Sequence, residues 1–135
     1  MPELPYAARM TDPKTLITDY LRTLSGQPKP PELVRRYVAD ERLAKHIAEI
    51  EAAFPSYEIN IEDLLAEGDR VVVRGEFQGV HRGPFAGIAP TGKSVSAGLI
   101  IIYAIASGRI VDHWMQFDLF TLLQQIQSSS VVQAA

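Results

Sequence analysis

The hydrophobic period of this chain changes twice, and that limits its fold more than any other feature. Up to Phe54 the apolar residues recur at helical spacing. From Tyr57 to Phe117 they recur mostly at alternate positions, and from Leu119 the helical spacing returns. Three helical segments, about four strands joined by tight turns and a closing helix make an α+β order with an antiparallel sheet. A bulged sheet packed by helices on one side curves, and its concave side becomes a pocket. At 135 residues the chain is one domain long, 1–135, with tails expected at 1–10 and 128–135.

The local signals place the elements. Asp12-Pro13 starts a helix, with Asp at the cap and Pro in the first turn, and Ser25-Gly26 ends it. A second helix starts near Pro31. Asp40 caps a third, whose apolar face is Leu43, Ile47, Ile50 and Phe54, with His46 on that face; Pro55 stops it. Tyr57, Ile59 and Ile61 alternate with polar residues, then Leu64 and Leu65 break the alternation. That slip predicts a β-bulge near Glu62-Asp63. Glu67-Gly68-Asp69 is a hairpin turn, and Arg70 to Gln78 is the return strand. Residues 79–93 hold four Gly and two Pro and form a structured loop. Val95 to Ala106 is apolar on both faces and reads as a central strand. Arg109 to Phe117 is the last strand, and Asp118 sits where it turns into the closing helix.

Several chemistries have no support. Gly87-Ile88-Ala89-Pro90-Thr91-Gly92-Lys93-Ser94 matches a phosphate-binding P-loop, but that motif needs a strand before it and a helix after it; here loop precedes and strand follows. The chain has no Cys, and its three His, at 46, 81 and 113, lack metal-ligand spacing, so no metal is expected. No nucleophile elbow surrounds any Ser. What remains is acid/base chemistry in an apolar pocket. If the last strand alternates strictly, Asp112, Trp114, Gln116 and Asp118 share one face, and Val111, His113, Met115 and Phe117 the other. A carboxyl beside an indole in apolar walls has its pKa raised, which suits proton transfer at carbon. The plainer alternative for Asp118 is a helix cap. His46 is either a packed side chain or a pocket donor, and His81 either lines the pocket mouth or ties its own loop.

These residues, in this order, resemble the SnoaL-like polyketide cyclases of the nuclear-transport-factor-2-like superfamily, cone-shaped α+β folds. The resemblance is carried by Arg36-Tyr37-Val38-Ala39-Asp40 with His46-Ile47, by Ala53-Phe54-Pro55, and by Ala66-Glu67-Gly68-Asp69-Arg70-Val71-Val72-Val73-Arg74. It continues through Gly79-Val80-His81-Arg82-Gly83, Pro90-Thr91-Gly92-Lys93, Ser107-Gly108-Arg109-Ile110-Val111-Asp112-His113-Trp114, and Asp118 with Leu122-Leu123-Gln124-Gln125. The family's usual Gly-Thr-His has Val80 in place of Thr, and its usual Gln-Leu-Gly ending is Gln125-Ile126-Gln127 here. The resemblance implies an intramolecular aldol ring closure of a polyketide ester, with no metal or cofactor. It implies Asp118 as general acid/base, with His81 as an oxygen-polarising partner. His46, Phe85, Tyr103, Trp114 and Gln116 are the expected substrate contacts. Related cone folds also serve as pure binders, so a non-catalytic ligand-binding or assembly module is the alternative.

The expected partner is a small, mostly apolar organic molecule, with a second copy of the chain against the open sheet face. A net charge of −3 with scattered basic residues argues against nucleic acid. The longest apolar run, Ala97 to Ala106, is about half the ~20 residues of a membrane helix. Met1-Pro2-Glu3-Leu4-Pro5 lacks a signal-peptide pattern, so a cytoplasmic protein is expected.

Overall fold

The computed structural model describes residues 12–128; the two expected tails lie outside them, apart from Ser128. Its helices are α1 (Pro13–Leu24), α2 (Pro31–Tyr37), α3 (Glu41–Ala53) and α4 (Leu119–Gln127), and its strands are β1 (Glu58–Glu67), β2 (Arg70–Val80), β3 (Ser94–Ala106) and β4 (Arg109–Phe117). The helix starts follow the capping chemistry. Asp12 accepts from Thr15 N–H, and Asp40 accepts from the Arg42 and Leu43 N–H groups, each satisfying donors a helix leaves free.

The four strands form one antiparallel sheet in the order β1-β2-β3-β4. It does not close: β1 and β4 are both edges. The α+β class and helix-packed sheet are as expected, with an open sheet for the cone. The register of β1 against β2 shifts between Ile61 and Asp63, so the bulge falls at Glu62. The β1–β2 turn has Gly68 at φ 58, a conformation Gly adopts without strain. Strand β2 runs on to Val80, so the irregular stretch begins at His81.

Two readings of the sheet change. Strand β3 is interior, but only one of its faces is covered. Val95, Ala97, Leu99, Ile101 and Tyr103 are buried under the helices, while Ile100 on the other face is exposed. Strand β4 does not alternate strictly. Ala104 pairs with Asp112 but Ile105 with Ile110, so Val111 is an extra residue. The bulge turns both Ile110 and His113 inward and leaves Val111 exposed.

The segment after α2 docks on the free edge of β4. Val38 bridges Ile110, and the Ile110 carbonyl accepts from both Ala39 and Asp40 N–H, at 2.8 and 3.1 Å. Arg109 Nη2 donates to the carbonyls of Arg35 and Val38. This contact fixes where α3 begins. Loop 81–93 docks on the other end of α3, where Arg82 and Gly83 N–H groups both donate to the Ala53 carbonyl. A Cβ on Gly83 would lie 2.2 Å from the Ala52 carbonyl oxygen, so only glycine fits. Gly83→Ala is expected to destabilise the fold by about 1–3 kcal/mol through forced displacement of the loop, read as a lower urea midpoint; an unchanged midpoint would show that the loop does not depend on this contact.

Candidate functional site

The concave face of the sheet and the inner faces of α1 and α3 enclose a cavity of about 740 Å³, within the usual range for small-molecule sites. Its walls are mainly apolar. Leu99, Ile101, Met115 and Phe117 come from β3 and β4, Leu43, Ile47 and Ile50 from α3, and Phe54, Phe77 and Phe85 form an aromatic flank. The Phe54 ring stands edge-on to Phe77 at 5.3 Å and to Phe85 at 5.2 Å. Phe85 is delivered by a tight turn in which Ala86 and Gly87 both have positive φ and Phe85 and Ile88 exchange two backbone hydrogen bonds.

Besides His46 and Glu49 on α3, the polar groups of the walls are three tyrosines: Tyr20 from α1, Tyr57 just before β1 and Tyr103 from β3. They are 4, 7 and 1% exposed. Burial pushes all three phenols up from their ordinary value, and neighbouring ionisable groups push the same way. They are therefore protonated donors throughout the working pH range.

At the edge between α3 and β4 the cavity opens into a shallower depression that shares His46, Glu49 and Met115 with it and adds His113. His113 is buried, and its Nδ1 lies 2.7 Å from Asp40 Oδ2. Burial alone would raise the Asp40 carboxyl. The hydrogen bond from His113, the N–H groups of Leu43 and Arg42 and the His113 charge together outweigh it, so the pKa is lowered. An ionised Asp40 can only accept, so His113 Nδ1 carries a proton and donates to it, and Nε2 is the ring nitrogen left outside that bond. His46 stands nearby. Burial holds it below its ordinary value, the His113 charge adds to that, and Glu49 opposes it.

Asp40, Asp112 and His113 bring three ligand atoms within 4.8 Å of one another, which is metal-like spacing. Arg42 already supplies the positive charge there. Its Nη2 is 2.8 Å from Asp112 Oδ1 and 3.9 Å from Asp40 Oδ2 and also donates to the His113 carbonyl. The cluster fits a guanidinium clamp and does not fit a metal site. The P-loop look-alike is an extended run into β3 with no helix behind it, and Lys93 Nζ bonds the Ser128 carbonyl.

The residues singled out from the sequence divide between two faces. His46, Phe85 and Tyr103 line the cavity. Trp114 and Gln116 do not line it: β4 turns them outward, where they edge the depression beside His113, and Trp114 is 44% exposed with Arg70 stacked 4.7 Å above its ring. Asp118 lies beyond the end of β4, exposed, and caps α4. Its Oδ1 accepts from Thr121 N–H and its Oδ2 from Thr121 Oγ1. Those bonds lower its pKa, the reverse of the rise expected for a carboxyl beside an indole. His81 is fully buried outside the cavity lining, 5.5 Å from the Phe54 ring. Its Nδ1 accepts from Thr91 N–H and pairs with Thr91 Oγ1, which holds the loop that carries Phe85. The site residues that the sequence did not mark are Tyr20, Tyr57, and the Asp40–His113 pair.

The family model for SnoaL-like polyketide cyclases matches residues 18–126. Similar solved structures include AclR from Streptomyces galilaeus, 22% identical, covering 93% of this chain and 90% of that one with a TM-score of 0.74. TsrD from Streptomyces laurentii is 26% identical over 94% of this chain and 100% of that one, TM-score 0.72. A protein of ketosteroid isomerase-like fold from Catenulispora acidiphila is 13% identical over 86 and 95%, TM-score 0.67. No curated protein matches.

The lowered Asp40 pKa has a signed consequence. Its contribution to stability is fully present above the unfolded value of ~3.9 and is lost as pH falls through the lower folded value. In acid denaturation the wild-type chain should lose stability below about pH 4, and Asp40→Asn should flatten that limb; an identical acid limb in both would mean the carboxylate is not held as described.

Proposed function

The chain belongs to the SnoaL-like polyketide cyclase family, and from that membership together with its cavity we propose that it is an acid/base enzyme acting on a small, mostly apolar, oxygenated molecule. The reaction class is ring closure of the aldol type or a close relative. A base removes a proton from a carbon beside a carbonyl, and the electron pair moves to that carbonyl's oxygen. The enolate carbon then attacks a second carbonyl of the same molecule, and the new alkoxide takes a proton. AclR, which shares the fold, is described as a proposed hydroxylase, so the fold does not fix the reaction.

The observation that carries the proposal is the Asp40–His113 pair at the cavity mouth. Asp40 orients the ring and offsets the charge of the imidazolium that forms, and Nε2 is left as the base. Asp118, the position the resemblance assigns to acid/base work, follows Phe117 of the cavity wall but lines neither the cavity nor the depression; both its oxygens are on Thr121, and it would take part only once that cap opens. His81 serves by holding the Phe85 loop.

A general probe of proton removal from carbon is 5-nitrobenzisoxazole: a base takes the ring-carbon proton, the N–O bond breaks, and a nitrile and a phenolate result. The wild-type chain should turn it over faster than an equal concentration of free imidazole. His113→Asn should lower that rate ~10²–10⁴-fold, and Asp118→Asn, which keeps the cap, should lower it less. A larger fall in Asp118→Asn would move the base to the rim. No turnover above imidazole would favour a non-catalytic ligand binder, for which the Asp118 cap would be purely structural.

A second copy of this chain is the proposed partner. Leu65, Val72, Ile102 and Trp114 pair in register across all four strands and form one apolar row over the outer face. No helix of the described residues is long and apolar enough to cross a membrane. Sedimentation should give a dimer mass for the wild type and a monomer for Ile102→Glu; a monomeric wild type would remove the second copy from the proposal.

A further inference from the structure

We propose that Tyr20, Tyr57 and Tyr103 together form a hydrogen-bond-donating site for a carbonyl or enolate oxygen inside the cavity. The three come from separate elements, α1, the α3–β1 connection and β3, and converge on one apolar space. The Tyr20 and Tyr103 rings meet edge-on at 5.9 Å. Each side chain is more than nine-tenths buried, and no hydroxyl of the three has a hydrogen-bond partner among the described residues.

Tyr37 shows the contrast. It lies in the same aromatic cluster, 5.7 Å from Tyr20, and its hydroxyl is fully engaged, donating to Asp19 Oδ2 at 2.7 Å with Thr23 Oγ1 at 3.3 Å. A structural tyrosine in this fold is therefore given acceptors from the protein. The three cavity tyrosines are not: their hydroxyls are not among the enclosed unpaired polar atoms, so they open on the cavity space and are left for water or a ligand to satisfy.

The chemistry of the donors narrows the ligand. All three are neutral and protonated in mainly apolar walls, with Lys29 Nζ 4.0 Å over the Tyr57 ring as a cation held outside by Glu51. They suit an oxygen with partial or developing negative charge on an apolar skeleton. They do not suit a phosphate, which needs positive charge, or an ammonium, which needs acceptors. Three donors arriving from different directions can serve both lone pairs of one carbonyl, or two oxygens spaced along one chain. In the reaction proposed above, the phenols would strengthen their bonds as the carbonyl becomes an enolate, which is where donors accelerate the step. The site rests on the cavity being where substrate binds, and it selects an oxygenated ring or chain over a bare hydrocarbon of the same shape.

The test compares 1-tetralone with tetralin, which has the same skeleton and a methylene in place of the carbonyl. Both are titrated into the wild-type chain and into Tyr20→Phe/Tyr57→Phe/Tyr103→Phe, which keeps the rings. The ratio of ketone to hydrocarbon affinity should fall about tenfold or more in the variant. The carbonyl stretch of bound tetralone should lie at lower frequency in the wild type than in the variant. Tetralin binding that is equal in both chains shows that the variant folds and retains the cavity. Equal ratios and an unshifted carbonyl would overturn the phenol site while leaving the cavity reading intact. Failure of both compounds to bind the wild-type chain would overturn the cavity reading and this proposal with it.

Discussion

The two hydrogen bonds accepted by the Ile110 carbonyl, from Ala39 and Asp40, are the contact on which the site depends. They tie the end of α2 to the edge of β4 and so fix the origin of α3. One residue, Asp40, then does two things. Its Oδ1 caps α3 through the Arg42 and Leu43 amides, and its Oδ2 holds His113. The helix that roofs the cavity and the imidazole at its mouth are thus set by the same carboxylate. Removing that carboxylate would loosen the roof and free the ring together, because both hang on one side chain.

The bulge in β4 is the complement of that contact. In a regular strand Ile110 and His113 would face opposite ways. The extra residue at Val111 lets Ile110 close the core and His113 meet Asp40. Bulges beside functional groups commonly re-aim a side chain in this manner.

Most of the fold was legible in the sequence because its signals are local. The Asp12 and Asp40 caps, the Pro55 stop, the Gly68 turn and the slip at Glu62 each need only a few neighbouring residues to be read. Half of the site was not legible, for the opposite reason. Asp40 and His113 lie 73 residues apart and no spacing rule links them. The bulge at Val111 has no breaker residue to announce it. Trp114, the chain's only Trp, drew attention to the polar face of β4, whereas the face against the helices is that of Met115 and Phe117. Tyr20 falls at helical spacing with Leu16, Ile17, Leu21 and Leu24 on the buried stripe of α1; only the cavity shows that its hydroxyl has been left open. Asp118 had two readings, acid/base and cap, and its bonds to Thr121 show the second in place.

The bulge at Glu62 has a bearing on how copies of this molecule avoid one another. Strand β1 is an edge whose start is covered by Ser25, which bonds both backbone groups of Ile59; past that point, among the described residues, the edge is a template on which another chain can lay a strand. Here the regular row of backbone donors and acceptors is broken in mid-strand. The break carries Glu62 and Asp63, which form a charged fork on Arg74. An incoming strand would meet a kink and buried-charge costs at the same point. Ribbon growth through β1 is blocked by the same irregularity that bends the sheet around its cavity.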